Sequence, residues 1–154
     1  MQKIFATTLL LAFACLASPP LAAQVRNPVK WFFSVKSNGP GRYVFVARAI
    51  LEKGWYIFSQ NTPDGGPIPT SFRFNRNPMI EMTSVVKEVG KMENRYDKLF
   101  GVDVRRYSEE VSFVQVVSVK GKVKTNVSGS IEYMLYNEKE TLPPMTNRFI
   151  VELK

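Results

Sequence analysis

The chain contains no histidine and a single cysteine. Absence of histidine removes the commonest general acid or base near neutral pH and the commonest metal ligand. The one cysteine, Cys15, lies in an apolar run near the N-terminus. Once that run is cleaved, no thiol is left for a disulfide, a Cys-ligated metal or a nucleophile. Long apolar runs are also missing after the first 23 residues, so the mature chain is expected to have no transmembrane segment. No amphipathic helix, internal repeat or low-complexity tail follows. The acidic residues Glu93, Asp97 and Asp103 are too spread to predict a metal site. Asp64-Gly65-Gly66 reads as a turn and not as an ion loop. Neither a metal nor a cofactor is expected.

The N-terminus reads as a secretory signal peptide. Lys3 gives the positive end, Ile4 to Leu16 the apolar run, and Ser18-Pro19-Pro20 the helix break. Leu21-Ala22-Ala23 offers small residues for cleavage before Gln24. The expected organisation is a signal over 1–23 and one domain over 24–154, in a periplasmic or secreted protein. Acylation at Cys15 is disfavoured, because Ala12-Phe13-Ala14 puts an aromatic where a small residue is usual. The net charge of the chain is +8; with Lys3 gone, 20 basic residues stand against 13 acidic ones, or +7. Such an excess suits anionic partners such as envelope polymers or lipid headgroups. The charges are scattered, however, with Arg105-Arg106 the only adjacent basic pair, and no basic helix favours nucleic acid.

The rest reads as β structure throughout. Strands are expected at Val29–Val35, Arg42–Leu51, Trp55–Ser59, Ser71–Phe74, Ile80–Val89, Val102–Tyr107, Val111–Val119, Lys122–Tyr136 and Met145–Leu153. Arg42–Leu51 is apolar on both sides: Tyr43, Phe45, Ala47 and Ala49 on one, Val44, Val46 and Ile50 on the other. That pattern predicts a strand buried on both faces. Asn61–Pro69 holds three prolines and two glycines and must be a loop. Lys91–Gly101 reads as a polar segment with Tyr96, Leu99 and Phe100 embedded in it. Asn137–Glu140 reads as a turn. Short strands at regular spacing, over a length able to bury a two-sheet core, predict an all-β immunoglobulin-like β-sandwich.

One segment carries more than its strand pattern: Tyr133-Met134-Leu135-Tyr136-Asn137-Glu138-Lys139-Glu140-Thr141-Leu142-Pro143-Pro144. It resembles the active-site hairpin of the N-terminal periplasmic domain of the thiol:disulfide interchange protein DsbD family. That pattern is a strand with Tyr, two residues, Cys, a short polar turn, Cys, a hydrophobic residue and Pro-Pro. The resemblance extends in order over Asn27–Trp31, Gly54–Gln60, Gly65–Thr70 and Asp97–Gly101, the last matching the family's cap loop. It implies that Tyr136 and Thr141 stand where the family has its two redox cysteines. Tyr133, Glu138, Pro143 and Pro144 would support the hairpin, and Tyr96, Asp97, Leu99 and Phe100 would form the cap or a docking surface. Tyr136 would fill the space under the cap.

The family's reaction is thiolate attack on a disulfide. A phenol with an ordinary pKa near 10 forms no disulfide, and a threonine hydroxyl is a weaker nucleophile still. The resemblance therefore implies a non-catalytic relative. Glu138 and Glu140 in an exposed turn read as solvated side chains and not as an acid/base pair. The expected role is an interaction module for another envelope protein. An envelope adhesion or structural protein with a basic surface is the alternative, and a thiol-disulfide reductase the least supported reading.

Overall fold

Alternating β-branched and aromatic residues set the strands of this protein. A computed structural model describes residues 26–154. The expected signal segment, its cleavage point and Cys15 fall outside these residues. Ten strands follow in order: β1 (Val29–Ser37), β2 (Arg42–Leu51), β3 (Tyr56–Phe58), β4 (Ser71–Phe74), β5 (Ile80–Met82), β6 (Lys87–Asp97), β7 (Val102–Val119), β8 (Thr125–Tyr133), β9 (Leu135–Tyr136) and β10 (Met145–Leu153). Every pairing between them is antiparallel. The large sheet runs β1-β2-β7-β3-β9, with β5 and β6 on the far edge of β7; the small sheet runs β10-β8-β4. Packed face to face, they make an immunoglobulin-like β-sandwich. No helix among the described residues is long and apolar enough to cross a membrane.

The core between the sheets is aromatic. Phe45 stacks on Phe149 at 4.9 Å, and Trp31 packs on Phe113 at 5.9 Å and on Tyr133 at 5.3 Å. Ala47 and Ala49 are fully buried on the same face of β2. Gly129 lets β8 approach β4 and the Phe149 ring, since a Cβ there would lie 2.3 Å from the Arg73 carbonyl oxygen. Burying aromatics of this size contributes most of the stabilisation of such a fold.

β7 organises the large sheet. β2 and β3 pair in series along one edge of it, β5 and β6 along the other. Its middle is interrupted at Glu109, a non-glycine residue at φ 60. On one edge the register passes from Ile50↔Glu110 to Tyr56↔Ser108, and on the other from Gly90↔Val111 to Met92↔Tyr107. Glu109 thus opposes nothing on either side, the mark of a bulge that bends the strand and raises its twist.

Several expected strand boundaries change. Ile80–Val89 is not one strand; it breaks after Met82 and resumes at Lys87. The polar segment from Lys91 is strand as far as Asp97, because its polar residues lie on an edge strand with one side in solvent. Val102–Tyr107 and Val111–Val119 form one strand through the Glu109 bulge. β8 begins at Thr125, not Lys122, and stops at Tyr133. Finally, β2 is fully buried on one face and half-buried on the other. Phe45, Ala47 and Ala49 enter the core, while neither hydrophobic cluster includes Val44, Val46 or Ile50.

Candidate functional site

The hairpin after β8 is held by its own turn. Asn137 Oδ1 accepts hydrogen bonds from the backbone N–H of Lys139 at 2.8 Å and of Glu140 at 2.9 Å. Asn137 N–H donates to the Glu140 carbonyl, and Leu142 N–H to that of Leu135, both at 2.9 Å. Tyr136 and Thr141 become directly opposed partners in an isolated bridge. Asparagine suits this place because its side chain mimics a backbone turn.

β9 pairs with β3, Tyr56 opposite Tyr136 and Ile57 opposite Leu135. Alternation then sends the two β9 side chains to opposite faces. Leu135 joins the main core, and Tyr136 joins a second cluster with Phe58 and Val104. Tyr136 is 5% exposed and stacks on Phe58 with centroids 4.4 Å apart and planes 6° from parallel. Phe100 closes the cluster from above, its ring edge-on to Phe58 at 5.9 Å. Tyr56, Val102 and Met134 complete it.

The cluster has a polar tether. Arg106 Nη1 donates to the Tyr136 hydroxyl at 2.8 Å, and its guanidinium lies 3.6 Å from the centre of the Tyr56 ring. The same side chain pairs with Glu93 at 3.0 Å, and Glu93 also accepts from the Ser108 hydroxyl at 3.2 Å. Burial pushes the Tyr136 phenol above its ordinary pKa, while the hydrogen bond and charge of Arg106 pull the other way without reversing the shift. Burial alone would lower Arg106, but its hydrogen bonds to Tyr136 and Glu93 hold it above its ordinary value. At neutral pH the site is therefore a neutral phenol against a satisfied cation. A phenol held above its ordinary pKa is a poor nucleophile at neutral pH.

The cap is the β6–β7 turn. Asp97 Oδ1 accepts from Leu99 N–H at 2.9 Å and from Phe100 N–H at 3.3 Å, and Gly101 at φ 69 donates its N–H to the Asp97 carbonyl at 2.8 Å. This fold of the turn drives Phe100 inward. Leu99 is left 74% exposed and Tyr96 64% exposed. A groove of about 540 Å³ runs between cap and hairpin, lined by Arg95, Leu99, Arg106, Tyr136, Glu138 and Thr141 among others. Glu138 lines the groove and is exposed, and Pro143 and Pro144 are exposed beyond the hairpin. The Thr141 hydroxyl is buried without a hydrogen-bond partner. Tyr133 is not at the hairpin tip but in the main core, 1% exposed against Trp31.

Sequence reading missed Arg106, Glu93 and Tyr56 as members of this site. A signal existed: once Asp97 pairs with Val102, Glu93 and Arg106 fall opposite each other, equally far from the turn. It missed also the Glu88 carboxylate, which accepts from Ser59 Oγ and Gln60 N–H at 2.6 Å each and from the Tyr107 hydroxyl at 2.9 Å. That cluster ties the loop after β3 to β6 and β7. Among the described residues no group of histidine, cysteine, aspartate or glutamate could hold a metal.

Solved N-terminal periplasmic domains of ScsB and DsbD share the fold of this sandwich. The N-terminal periplasmic domain of ScsB from Proteus mirabilis superposes with a TM-score of 0.57 at 12% identity, over 86% of this chain and 49% of that one. This chain thus spans about half the length of the ScsB structure. The Neisseria meningitidis DsbD N-terminal domain in its reduced form gives 0.53 at 15% identity, over 90% and 91% of the two chains. A complex between the DsbD and PilB N-terminal domains of Neisseria meningitidis gives 0.53 at 18%, over 87% and 86%. No protein-family model matches the sequence, and a search of curated proteins returns no match either. At such identities the likeness is one of fold. With a single cysteine, the chain cannot close an intramolecular disulfide.

Proposed function

We propose that this chain is an exported, non-catalytic docking module whose DsbD-like redox position has been filled by a tyrosine. On this reading Tyr136 and Thr141 replace two cysteines, and the groove between hairpin and cap binds another envelope protein. The observation that carries it is the pairing of Tyr136 with Thr141 across the hairpin, with the phenol buried on Phe58 and tethered to Arg106. A phenol in that setting cannot exchange with a disulfide. The solved neighbour in complex with the PilB N-terminal domain supports a partner-binding use of the fold. Leu99 and Tyr96, exposed beside the groove, are the kind of apolar side chains that anchor protein interfaces.

Three measurements test this. Directly opposed bridge partners have Cα atoms about 5 Å apart, within disulfide reach, so a Tyr136→Cys, Thr141→Cys double variant should oxidise to an internal disulfide. Failure to oxidise in the folded protein would remove the claim that these are the two redox positions. A photo-crosslinking residue at Leu99 should then trap a partner in an envelope extract, whereas one at Ile150, 71% exposed on the small sheet, should not. Equal trapping at both positions would move docking away from the groove. Insulin reduction by the mature protein above the buffer rate would end the non-catalytic reading.

A further inference from the structure

The outward face of the large sheet carries valines where a solvent-facing antiparallel sheet normally carries polar residues. The strand register sets its rows. Phe32, Arg48, Ser112 and Val89 lie side by side across β1, β2, β7 and β6. The next row is Ser34, Val46, Val114 and Lys87, and the one beyond contains Lys36, Val44 and Val116. Their sequence neighbours Phe45, Ala47, Phe113 and Val117 fill the main core, so these rows face away from it. Val44, Val46, Val114 and Val116 are half-buried within the sheet, and neither hydrophobic cluster includes them. Phe32 is 53% exposed and Val89 59%. Arg48 pairs with Glu110, so two charges within the face cancel.

We infer that a second copy of this chain packs on this face, sheet against sheet, about a two-fold axis running along the boundary of β2 and β7. Two features favour a second copy. The first is area. β1, β2 and β7 paired over nine residues and β6 over four, at about 4.8 Å per strand and about 3.4 Å per residue, make a face of roughly 500 Å² per copy and about 1,000 Å² per pair. That reaches the roughly 1,000 Å² a specific interface needs. The second is self-complementarity. The axis sets Val46 of one copy against Val114 of the other, Val44 against Val116, and Phe32 against Val89, within the ordinary stagger of packed sheets. In these three rows Lys87 meets Ser34 and Arg48 meets Ser112, and in the row beyond, Ile50 of one copy comes against Glu110 of the other, a carboxylate already paired with its own Arg48.

The test is sedimentation equilibrium of the mature chain over a wide concentration range. The expected result is a weight-average mass that climbs from one copy to two. Val46→Lys and Val114→Glu should each weaken the dimer at least about tenfold, because each buries an unpaired charge. Mixing the two variants should restore it, since the ammonium introduced in one chain then faces the carboxylate introduced in the other. Both positions are partly exposed, so folding should survive; circular dichroism checks this, and a Phe32→Ser, Val89→Ser pair serves if either variant unfolds. A single-copy mass up to about 1 mM overturns the inference, since even a weak dimer would show at that concentration. So does a dimer indifferent to both substitutions, or a mixture that fails to recover. Binding of the single-copy protein to anionic vesicles, lost on Val46→Lys, would overturn it in favour of a lipid surface.

Discussion

The two ends of one sheet face differ in how their apolar side chains are covered. Beyond Glu109, toward the hairpin, the outward face carries Tyr56, Phe58, Val104 and Tyr136, and the chain covers them with its own β6–β7 turn through Phe100. On the other side of Glu109 the same face carries Val44, Val46, Val114 and Val116, and neither hydrophobic cluster among the described residues includes them. The covered end adds a polar tether, Arg106 between Tyr136, Tyr56 and Glu93; the bare end has only the surface pair Arg48–Glu110. Apolar character in a strand therefore predicts burial but not by what. One end is buried by a turn of the same chain, and the other is left half-buried.

The largest effect expected from breaking this contrast is at Phe58. Its ring lies under both Tyr136 and Phe100 and is fully buried. Phe58→Ala should cost about 3–5 kcal/mol, the range of large cavities in packed cores. Val46→Ala at the bare end should cost under about 1 kcal/mol, because a partly exposed side chain leaves little cavity. Urea denaturation of dilute protein gives both values. Similar losses at the two sites would erase the distinction between them.

Arg106 comes next. Its side chain is 12% exposed and its partner Glu93 30%, so removal strands a carboxylate and a phenol with partial access to water. Arg106→Met should cost about 1–3 kcal/mol. Arg106→Lys should recover only part, because an ammonium lacks the planar fork that reaches both partners and lies on Tyr56. Removing the exposed Arg48–Glu110 pair should change stability by under about 1 kcal/mol. Thermal denaturation of all three variants orders them.

Much of this contrast was legible in the residues, and the rest had identifiable reasons for hiding. The turn at Asn137–Glu140 could be read because asparagine and its polar neighbours fit one local geometry. The two-faced apolar pattern of β2 was visible too, but pattern alone cannot tell a second layer from an open face. β6 was missed because Lys91–Asp97 is polar on an edge strand, and without β6 the Glu93–Arg106 pair has no register. Phe100 and Leu99 are adjacent and similar in character; which one turns inward is decided by Asp97 capping their two N–H groups. Glu109 carried no signal at all, since nothing in a glutamate announces a positive φ.

That bulge divides the two ends, and its substitution should have a smaller effect. A left-handed backbone costs a residue with a Cβ about 1–2 kcal/mol, and glycine gives back about 0.5–1 kcal/mol of that in unfolded-state entropy. Glu109→Gly should therefore be neutral to about 1 kcal/mol stabilising, whereas Glu109→Val should destabilise by about 1–2 kcal/mol. A Glu109→Val variant as stable as the parent would mean that β7 can straighten and the division is soft.

The smallest effect concerns pH. Tyr107, Tyr133 and Tyr136 all have phenols pushed above their ordinary value, first by burial; Glu88 adds to the shift at Tyr107, and Arg106 opposes it at Tyr136. A folded-state pKa above the unfolded one gives stability that is complete below the unfolded pKa, about 10, and lost as pH climbs through the folded values. The melting temperature should hold through neutral pH and fall on the alkaline side, as the unfolded chain releases protons that the folded one keeps. Tyr136→Phe should cost about 1 kcal/mol at pH 7, for the lost Arg106 hydrogen bond, and should make the alkaline fall shallower. Substitutions at the bare end, where no tyrosine lines the valine rows, should leave the slope of that fall unchanged. A Tyr136→Phe protein with the parent's slope would place the alkaline sensitivity in Tyr107 and Tyr133 instead, in the main core.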